Sequence, residues 1–185
     1  MIPLLTLLAW LIWLIGYWNG GLKILTDIRA AQDARDRLLL IALSVMTALL
    51  VIGVFVAYLR GESTANNFLL GNGFVFVVLG VGGTFYSRWT LGRFWTAQNA
   101  LQKNHQVVTN GLYGIVRHPI YVAAILLYAG TALVFLSPVI VALAWLIIAA
   151  YVLKTEREDR YLRACLPGYD RYAQRVAYRL VPLMW

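Results

Sequence analysis

Long runs of uncharged, mostly apolar residues alternate with short polar segments along this chain. Three of the runs, residues 2–18, 38–59 and 68–86, contain no charged side chain. About 30 Å of hydrocarbon requires about 20 residues of helix, with a range of about 17 to 25, so each run has the length of one membrane crossing. We therefore predict three membrane-spanning helices in the first half of the chain.

A fourth uncharged run, residues 120–153, is too long for one crossing and is interrupted by Ser137 and Pro138. Proline lacks an amide hydrogen and disfavours helix in the residue before it. The pattern therefore predicts two short helices joined by a tight turn, which brings the number of crossings to five. Because no Lys or Arg precedes Lys23, unlike in a secretory signal with a basic leader, we expect the first run to be a retained helix.

Composition agrees with the pattern of apolar runs. Mean hydropathy is +0.70 and 13% of the residues are charged, compared with about 25% in a typical soluble domain. The sequence thus predicts an all-α integral membrane protein. Since Cys165 is the only cysteine and there are two histidines, we expect neither an internal disulfide nor a metal site.

The positive charges are distributed unevenly about the five predicted crossings. The formal net charge is +8, and all but Arg60 of the 16 Lys and Arg residues fall in the first loop, the third loop or the tail. The positive-inside rule produces such a bias. It places the N-terminus outside and the third loop and C-terminal tail in the cytoplasm, as in a bacterial inner membrane. The basic residues then face anionic lipids, so nucleic acid is not an expected partner.

Several small and aromatic residues have ordinary structural interpretations. The segment GVGG, residues 80–83, lies inside an uncharged run with no preceding strand, so it predicts close helix packing rather than a dinucleotide loop. Small residues of the fourth and fifth helices, including Ala123 and Gly130, either pack helices together or leave a lateral slot for a lipid-like acceptor. Five aromatic residues are typical of a membrane interface and of lipid-facing packing: Trp10, Trp13, Tyr17, Trp18 and Trp89.

The tract TNGLYGIVRHPIY, residues 109–121, is the first candidate site. Pro119 suits the first turn of a helix, where its missing amide hydrogen would be unpaired anyway. The helix should therefore begin near His118, with its positive dipole end beside the permanent cation of Arg117. This place would hold an anionic group such as an amino-acid carboxylate, and an interfacial Arg-Tyr anchor is the alternative. Gly111 permits a turn closed to other residues.

The charged tail, residues 154–176, is the second candidate site. It carries three of the chain's eight acidic residues: Glu156, Glu158 and Asp159. A continuing helix would form three i,i+4 ion pairs, each worth about 0.2 to 0.5 kcal/mol: Lys154–Glu158, Glu156–Arg160 and Asp159–Arg163. Acids beside a negative leaflet are unfavourable unless a positive group lies near them. A basic loop or a cationic cofactor would supply that group, and the residues alone favour neither.

Together the two tracts resemble the isoprenylcysteine carboxyl methyltransferase family and its phospholipid methyltransferase relatives. The resemblance lies in Gly-X-Tyr-X-X-X-Arg-His-Pro-X-Tyr at residues 111–121, the acidic pair Glu158-Asp159, and Leu-Pro-Gly-Tyr at residues 166–169. It covers roughly residues 88–182. It implies an integral membrane enzyme in which the loop and the tail fold over one S-adenosylmethionine pocket.

The resemblance also implies a domain organisation. The chain would be a single membrane domain, residues 1–185, in which residues 1–86 form three N-terminal transmembrane helices. Residues 87–185 would form the methyltransferase core, with a cofactor-binding cytoplasmic loop, a tight helical hairpin and a C-terminal helix that covers the pocket.

Roles for individual residues follow from the same resemblance. Arg117 and Glu158 would be catalytic, with Arg117 orienting the site. The residues implied to bind S-adenosylmethionine are Gly111, Tyr113, His118, Pro119, Tyr121, Glu158 and Asp159. This chain departs from the family pattern at Asp159, where the family has a second glutamate, and at Lys154, where arginine is common. The spacing leaves open which of Glu156, Glu158 and Asp159 contacts the cofactor.

The expected activity is S-adenosylmethionine-dependent methyl transfer to a lipophilic or lipidated acceptor, with a prenylcysteine-like carboxylate preferred. Placing two reactants in contact is enough for such a transfer, so neither a metal nor a protein nucleophile is required. A phospholipid amine is the alternative acceptor, and it would first have to lose a proton. A non-catalytic membrane scaffold or transporter subunit is the alternative from another class. The predicted spans contain no ionisable residue of the kind that marks a transport path.

Overall fold

The computed structural model describes residues 1–30, 33–97 and 100–181, and of residues 17–30 it describes the helical backbone alone. Over these residues the protein is all-helical, as predicted. The helices in chain order are α1 (Ile2–Ala30), α2 (Ala34–Leu59), α3 (Asn67–Leu91), α4 (Pro119–Phe135), α5 (Pro138–Cys165) and α6 (Tyr169–Arg175). Short 3-10 turns occur at Gly92–Phe94 and Gly111–Gly114.

The helix ends follow local chemistry that the sequence shows. The side chain of Asp33 accepts a hydrogen bond from the first turn of α2, and that of Asn66 accepts two from the first turn of α3. Pro119 and Pro138 occupy the first turns of α4 and α5. Between these helices Leu136 turns the chain with a φ of 47°. The predicted helical hairpin, broken just before Pro138, is thus confirmed.

Three helices in the described part of the chain are long and apolar enough to cross a bilayer: α2, α3 together with its following turn, and α5. The apolar parts of α1 and α4, Ile2–Gly16 and Pro119–Phe135, are shorter. Two helices also continue beyond the predicted runs, α1 as far as Ala30 and α5 as far as Cys165. Five crossings and an outside N-terminus stay predictions.

Helices α3 and α4 approach each other closely along a row of small residues. A Cβ atom on Gly73 would lie 2.8 Å from the carbonyl oxygen of Gly130, and one on Gly80 would lie 2.7 Å from that of Ala123. The close packing predicted for residues 80–83 is therefore confirmed. Since Ala123 and Gly130 belong to this contact, they pack helices together and do not open a slot between them.

The interpretation of Trp10 and Trp13 as interfacial or lipid-facing residues is wrong. Both are buried in the core, with 1% and 5% of their surface exposed. The Trp10 indole N–H donates to the hydroxyl of Thr131 at 3.0 Å, so a helix-to-helix hydrogen bond holds the ring inside. Trp89 is exposed, as an interfacial residue would be. The other two side chains of the set lie outside the described part: Tyr17 and Trp18.

Candidate functional site

The polar tract before α4 and the C-terminal tail lie against each other. The backbone N–H of Arg117 donates to the carbonyl oxygen of Tyr178 at 3.0 Å, and that of His118 donates to the carbonyl of Arg179 at 3.0 Å. These two bonds join segments about sixty residues apart in the sequence. The two candidate tracts therefore form one junction, as the resemblance implies.

The 3-10 turn Gly111–Gly114 carries Tyr113 into this junction. Gly111 has a φ of 59°, and a Cβ atom there would lie 2.9 Å from the hydroxyl oxygen of Tyr86, so glycine is required both by backbone conformation and by space. Tyr113 is buried, and its carbonyl oxygen accepts a hydrogen bond from the Tyr172 hydroxyl at 2.7 Å. The tail thus holds the turn in place from the other side.

Asp159 is fully buried at the centre of the junction. Its carboxylate is surrounded by Arg117 Nε at 3.3 Å, His118 Nε2 at 3.6 Å, Arg163 Nε at 3.2 Å, Arg179 Nε at 3.2 Å and the Tyr169 hydroxyl at 3.0 Å. Such pairing offsets the large cost of burying a carboxylate. The resemblance implies a cofactor contact for Asp159, whereas the geometry gives it a role in holding other side chains.

A cavity of about 520 Å³ opens beside the junction. Five of the predicted site residues line it: Tyr113, Arg117, His118, Tyr121 and Glu158. Gly111, Pro119 and Asp159 are not part of the lining. Gly111 shapes the preceding turn, Pro119 begins α4, and Asp159 lies behind Arg117 and His118. The volume falls within the range of about 300 to 1,000 Å³ that is typical of small-molecule sites.

Glu158 and Tyr121 both line the cavity and are bonded to each other. The Tyr121 hydroxyl donates a hydrogen bond to the Glu158 carboxylate. The His118 ring stacks on the Tyr121 ring, with centroids 5.7 Å apart and planes 5° from parallel. Lys154 Nζ lies 5.9 Å from the centroid of the Tyr121 ring. Acidic, basic and aromatic groups therefore meet at this end of the cavity.

Two of the three predicted i,i+4 ion pairs on α5 are confirmed, Glu156–Arg160 at 2.8 Å and Asp159–Arg163 at 3.2 Å. The third prediction, Lys154–Glu158, is wrong, because Glu158 is bonded to Tyr121. Lys154 is 6% exposed, lines the cavity and forms no ion pair with a carboxylate in the described part of the chain. Its ammonium group is thus a buried charge that faces the cavity.

Arg117 and His118 also carry buried nitrogen atoms that make no hydrogen bond within the described part of the chain, although His118 Nε2 lies near the Asp159 carboxylate. Arg117 Nη1 and His118 Nε2 are buried and have no hydrogen-bond partner among the described residues. Nearby, burial and then the Asp159 carboxylate raise the pKa of Tyr169, and burial raises the pKa of Tyr172. Both phenols therefore stay protonated and act as hydrogen-bond donors. The polar end of the cavity is suited to an anionic group beside Arg117.

The other end of the cavity is apolar and extends between the helices. Its lining includes Trp13 of α1, Leu43 and Val51 of α2, and Tyr128 of α4. The hydroxyls of Thr47 and Tyr128, 2.8 Å apart, are bonded to each other within it. The lining residues of α2 run from Leu40 to Ile52, a little over three helical turns. At about 1.5 Å per residue, this apolar limb is about 18 Å long. A single cavity thus joins a charged end to an apolar end.

Sequence reasoning missed several residues of the site. Tyr169 and Tyr172 both line the cavity. They lie within and just after the Leu-Pro-Gly-Tyr motif of the tail, and their presence there was the signal that could have identified them as site residues. His105, which stacks on Phe94 with centroids 4.7 Å apart and lines the cavity, belongs to the connection between α3 and α4. Nothing local in the sequence pairs Arg179 with a carboxylate twenty residues away.

Comparison with known proteins gives two matches. The family described as phospholipid methyltransferase matches residues 68–166, which is more than half of the chain. A curated relative, the cobalt-zinc-cadmium resistance protein CzcN of Cupriavidus metallidurans, is 36% identical over 90 residues. That alignment covers 46% of this chain and 41% of the relative, so the chain spans less than half the length of the protein that it matches.

Proposed function

Since this chain belongs to the phospholipid methyltransferase family, we propose that it transfers a methyl group from S-adenosylmethionine to a lipophilic acceptor at the cytoplasmic membrane face. We assign a prenylcysteine-like carboxylate as the acceptor. The observation that carries the proposal is the single cavity in which Arg117, Lys154 and Glu158 line one end and apolar helix faces line the other.

The residues at the polar end fit S-adenosylmethionine. Arg117, which lines the cavity, would bind the amino-acid carboxylate, and Glu158 would bind the ammonium group. The ring faces of Tyr113 and Tyr121 attract cations, which suits a sulfonium. When bound, the cofactor supplies an electrophilic methyl group. We assign His118 to stack beside Tyr121 and to exclude water from the polar end.

Lys154 would orient the acceptor. It is buried where the charged end of the cavity meets the apolar limb, and it has no carboxylate partner in the described part of the chain. A buried cation without a counter-ion is costly, and an acceptor carboxylate would offset that cost. The apolar limb would hold a hydrocarbon chain. A carboxylate needs no base, so holding the two reactants in contact is the residues' main contribution, worth about 7 to 11 kcal/mol in well-oriented systems.

A phospholipid amine is the second candidate acceptor, and the description of the matched family favours it. The buried ammonium of Lys154 argues against it, because a like charge would be repelled there. A non-catalytic scaffold would not require buried charged side chains such as Arg117 and Lys154 to line a cavity, since burying charged groups costs stability.

Methyl transfer from labelled S-adenosylmethionine by the detergent-purified protein tests the proposal. A farnesylcysteine analogue should be methylated and phosphatidylethanolamine should not. Lys154→Met should raise the KM for the acceptor by about tenfold, as loss of a charge-assisted hydrogen bond does, while Lys103→Met, at an exposed loop position, should leave it unchanged. Methylation of phosphatidylethanolamine alone would overturn the acceptor assignment. Failure to bind S-adenosylhomocysteine would overturn the enzymatic proposal.

A further inference from the structure

Residues 176–181 follow α6 and form a segment that we name the C-terminal strap. Its first residue, Val176, and Leu180 are buried. The strap is bonded to the cavity wall through backbone groups, because the carbonyl oxygens of Tyr178 and Arg179 accept hydrogen bonds from the two residues that precede α4. It is therefore part of the support for Arg117 and not a free tail.

The strap also supplies a charge to the buried carboxylate of Asp159. Arg179 Nε and Arg163 Nε both lie 3.2 Å from the same oxygen, Oδ2. The other oxygen, Oδ1, lies 3.3 Å from Arg117 Nε and accepts a hydrogen bond from Tyr169. The Asp159 carboxylate is thus shared between Arg117, which lines the cavity, and the guanidinium groups of Arg163 and Arg179, which do not.

Arg163 and Arg179 differ in what they connect, although their distances to Oδ2 are equal. Arg163 lies one turn from Asp159 on the same helix and also pairs with Asp170 of α6 at 3.1 Å, so it connects Asp159 to α6 and not directly to the tract of Arg117. Arg179 lies on the strap, whose backbone is bonded to the tract of Arg117. Of the two guanidinium groups at Oδ2, that of Arg179 alone belongs to a residue whose own backbone is bonded to that tract, through the N–H of His118.

We propose that Arg179 is a positioning residue that fixes Arg117 for the carboxylate end of S-adenosylmethionine by holding Asp159. The proposal rests on the proposed function. With Oδ2 held by Arg163 and Arg179, Oδ1 lies 3.3 Å from Arg117 Nε, while Arg117 Nη1 has no hydrogen-bond partner among the described residues and the Arg117 side chain lines the cavity. Without Arg179, the Arg163 and Tyr169 contacts remain, but the strap no longer holds the carboxylate in register with the Arg117 tract. The carboxylate can then shift to take both nitrogens of the Arg117 guanidinium, which would be lost to the ligand.

Binding of two nucleosides to the purified full-length protein tests this assignment. S-adenosylhomocysteine carries the amino-acid carboxylate, and 5′-methylthioadenosine lacks it. Arg179→Gln should weaken binding of S-adenosylhomocysteine about tenfold, a coupling typical of residues in one ion-pair network, and should leave 5′-methylthioadenosine unchanged. Arg163→Gln is the matched control, and it should change neither affinity by more than about twofold.

The assignment is overturned if Arg179→Gln weakens both nucleosides equally, which would indicate a structural role, or if it behaves as Arg163→Gln does. Where Arg179→Gln lowers the protein yield, Arg179→Lys keeps the charge and should retain most of the affinity for S-adenosylhomocysteine. The double variant Arg117→Gln/Arg179→Gln should bind no more weakly than Arg117→Gln alone, because both act through one contact. A wild-type protein that binds neither nucleoside would overturn the proposed function and this assignment with it.

Discussion

Replacing Asp159 by asparagine should strongly destabilise the folded protein. The substitution keeps the shape of the side chain and removes its charge. Asp159 is fully buried, and its closest cavity-lining cation, Arg117, has a side chain that is 4% exposed. Arg117 would be left as a buried cation without its counter-ion. Breaking a buried pair by removing one partner costs about 3 to 5 kcal/mol.

The loss of stability in Asp159→Asn is set mainly by Arg117, because the guanidinium groups of Arg163 and Arg179 are partly exposed to water. The side chains of Arg163 and Arg179 are 39% and 25% exposed. Solvent screening reduces such contacts to about 0 to 1 kcal/mol each. In a chain of this size, each 1 kcal/mol lowers the melting temperature by about 2 to 4 °C. We therefore expect Asp159→Asn to lower it by about 6 to 20 °C.

The assay is thermal unfolding of the detergent-purified protein, followed by tryptophan fluorescence. Asp170→Asn is the matched control, because Asp170 also pairs with Arg163, at 3.1 Å, but is 65% exposed. Its melting temperature should fall by no more than about 4 °C. If the Asp159→Asn protein melted within about 2 °C of the wild type, or no lower than the control, the proposed burial of the Arg117 charge would be refuted.

Three further predictions concern packing and protonation. Gly80→Ala should destabilise the protein by about 1 to 3 kcal/mol, because its methyl group meets the α4 backbone, whereas Gly82→Ala meets open space and should cost nothing in denaturant unfolding. Trp10→Phe removes a buried indole donor and should lower the free energy of unfolding by about 1 to 3 kcal/mol. The control Trp89→Phe, at an exposed position, should lower it by less than about 0.5 kcal/mol. Equal losses in the two variants would contradict the buried hydrogen bond. Burial lowers the pKa of His105 from its ordinary value of 6.5. At pH values near and below 6.5, His105 therefore binds more protons in the unfolded state than in the folded state, and the stability of the protein should fall as the pH falls. Unfolding of His105→Gln at about pH 7.5 and pH 5.5 should lack this dependence, and its persistence would show that another group is responsible.

The helices could be predicted from the sequence because each depends on nearby residues. A bilayer-length run without charges has no stable alternative to helix in hydrocarbon, since its backbone groups must bond within the segment. The starts of α4 and α5 follow from Pro119 and Pro138, whose rings fix the backbone angle locally. The turn at Gly111 is also local, because it depends on the positive φ of that one residue, which glycine adopts without strain.

Helix contacts were harder to predict, because an apolar residue suits lipid and protein core equally well. Trp10 and Trp13 have the composition of a membrane interface, and only the position of α4 decides that they are buried. The small residues of α4 were compatible with packing or with a slot, and the approach of α3 decides for packing.

The amino-acid sequence by itself determined the all-helical membrane class, the hairpin of α4 and α5, and the two polar tracts that form the charged end of the cavity. Tertiary structure alone decided that Glu158 faces the cavity while Asp159, one residue later, faces three guanidinium groups. It also decided that α1 and α2 line the apolar end. The physical reason is that successive residues on a helix point about 100° apart, so their environments depend on which neighbouring elements pack on each side.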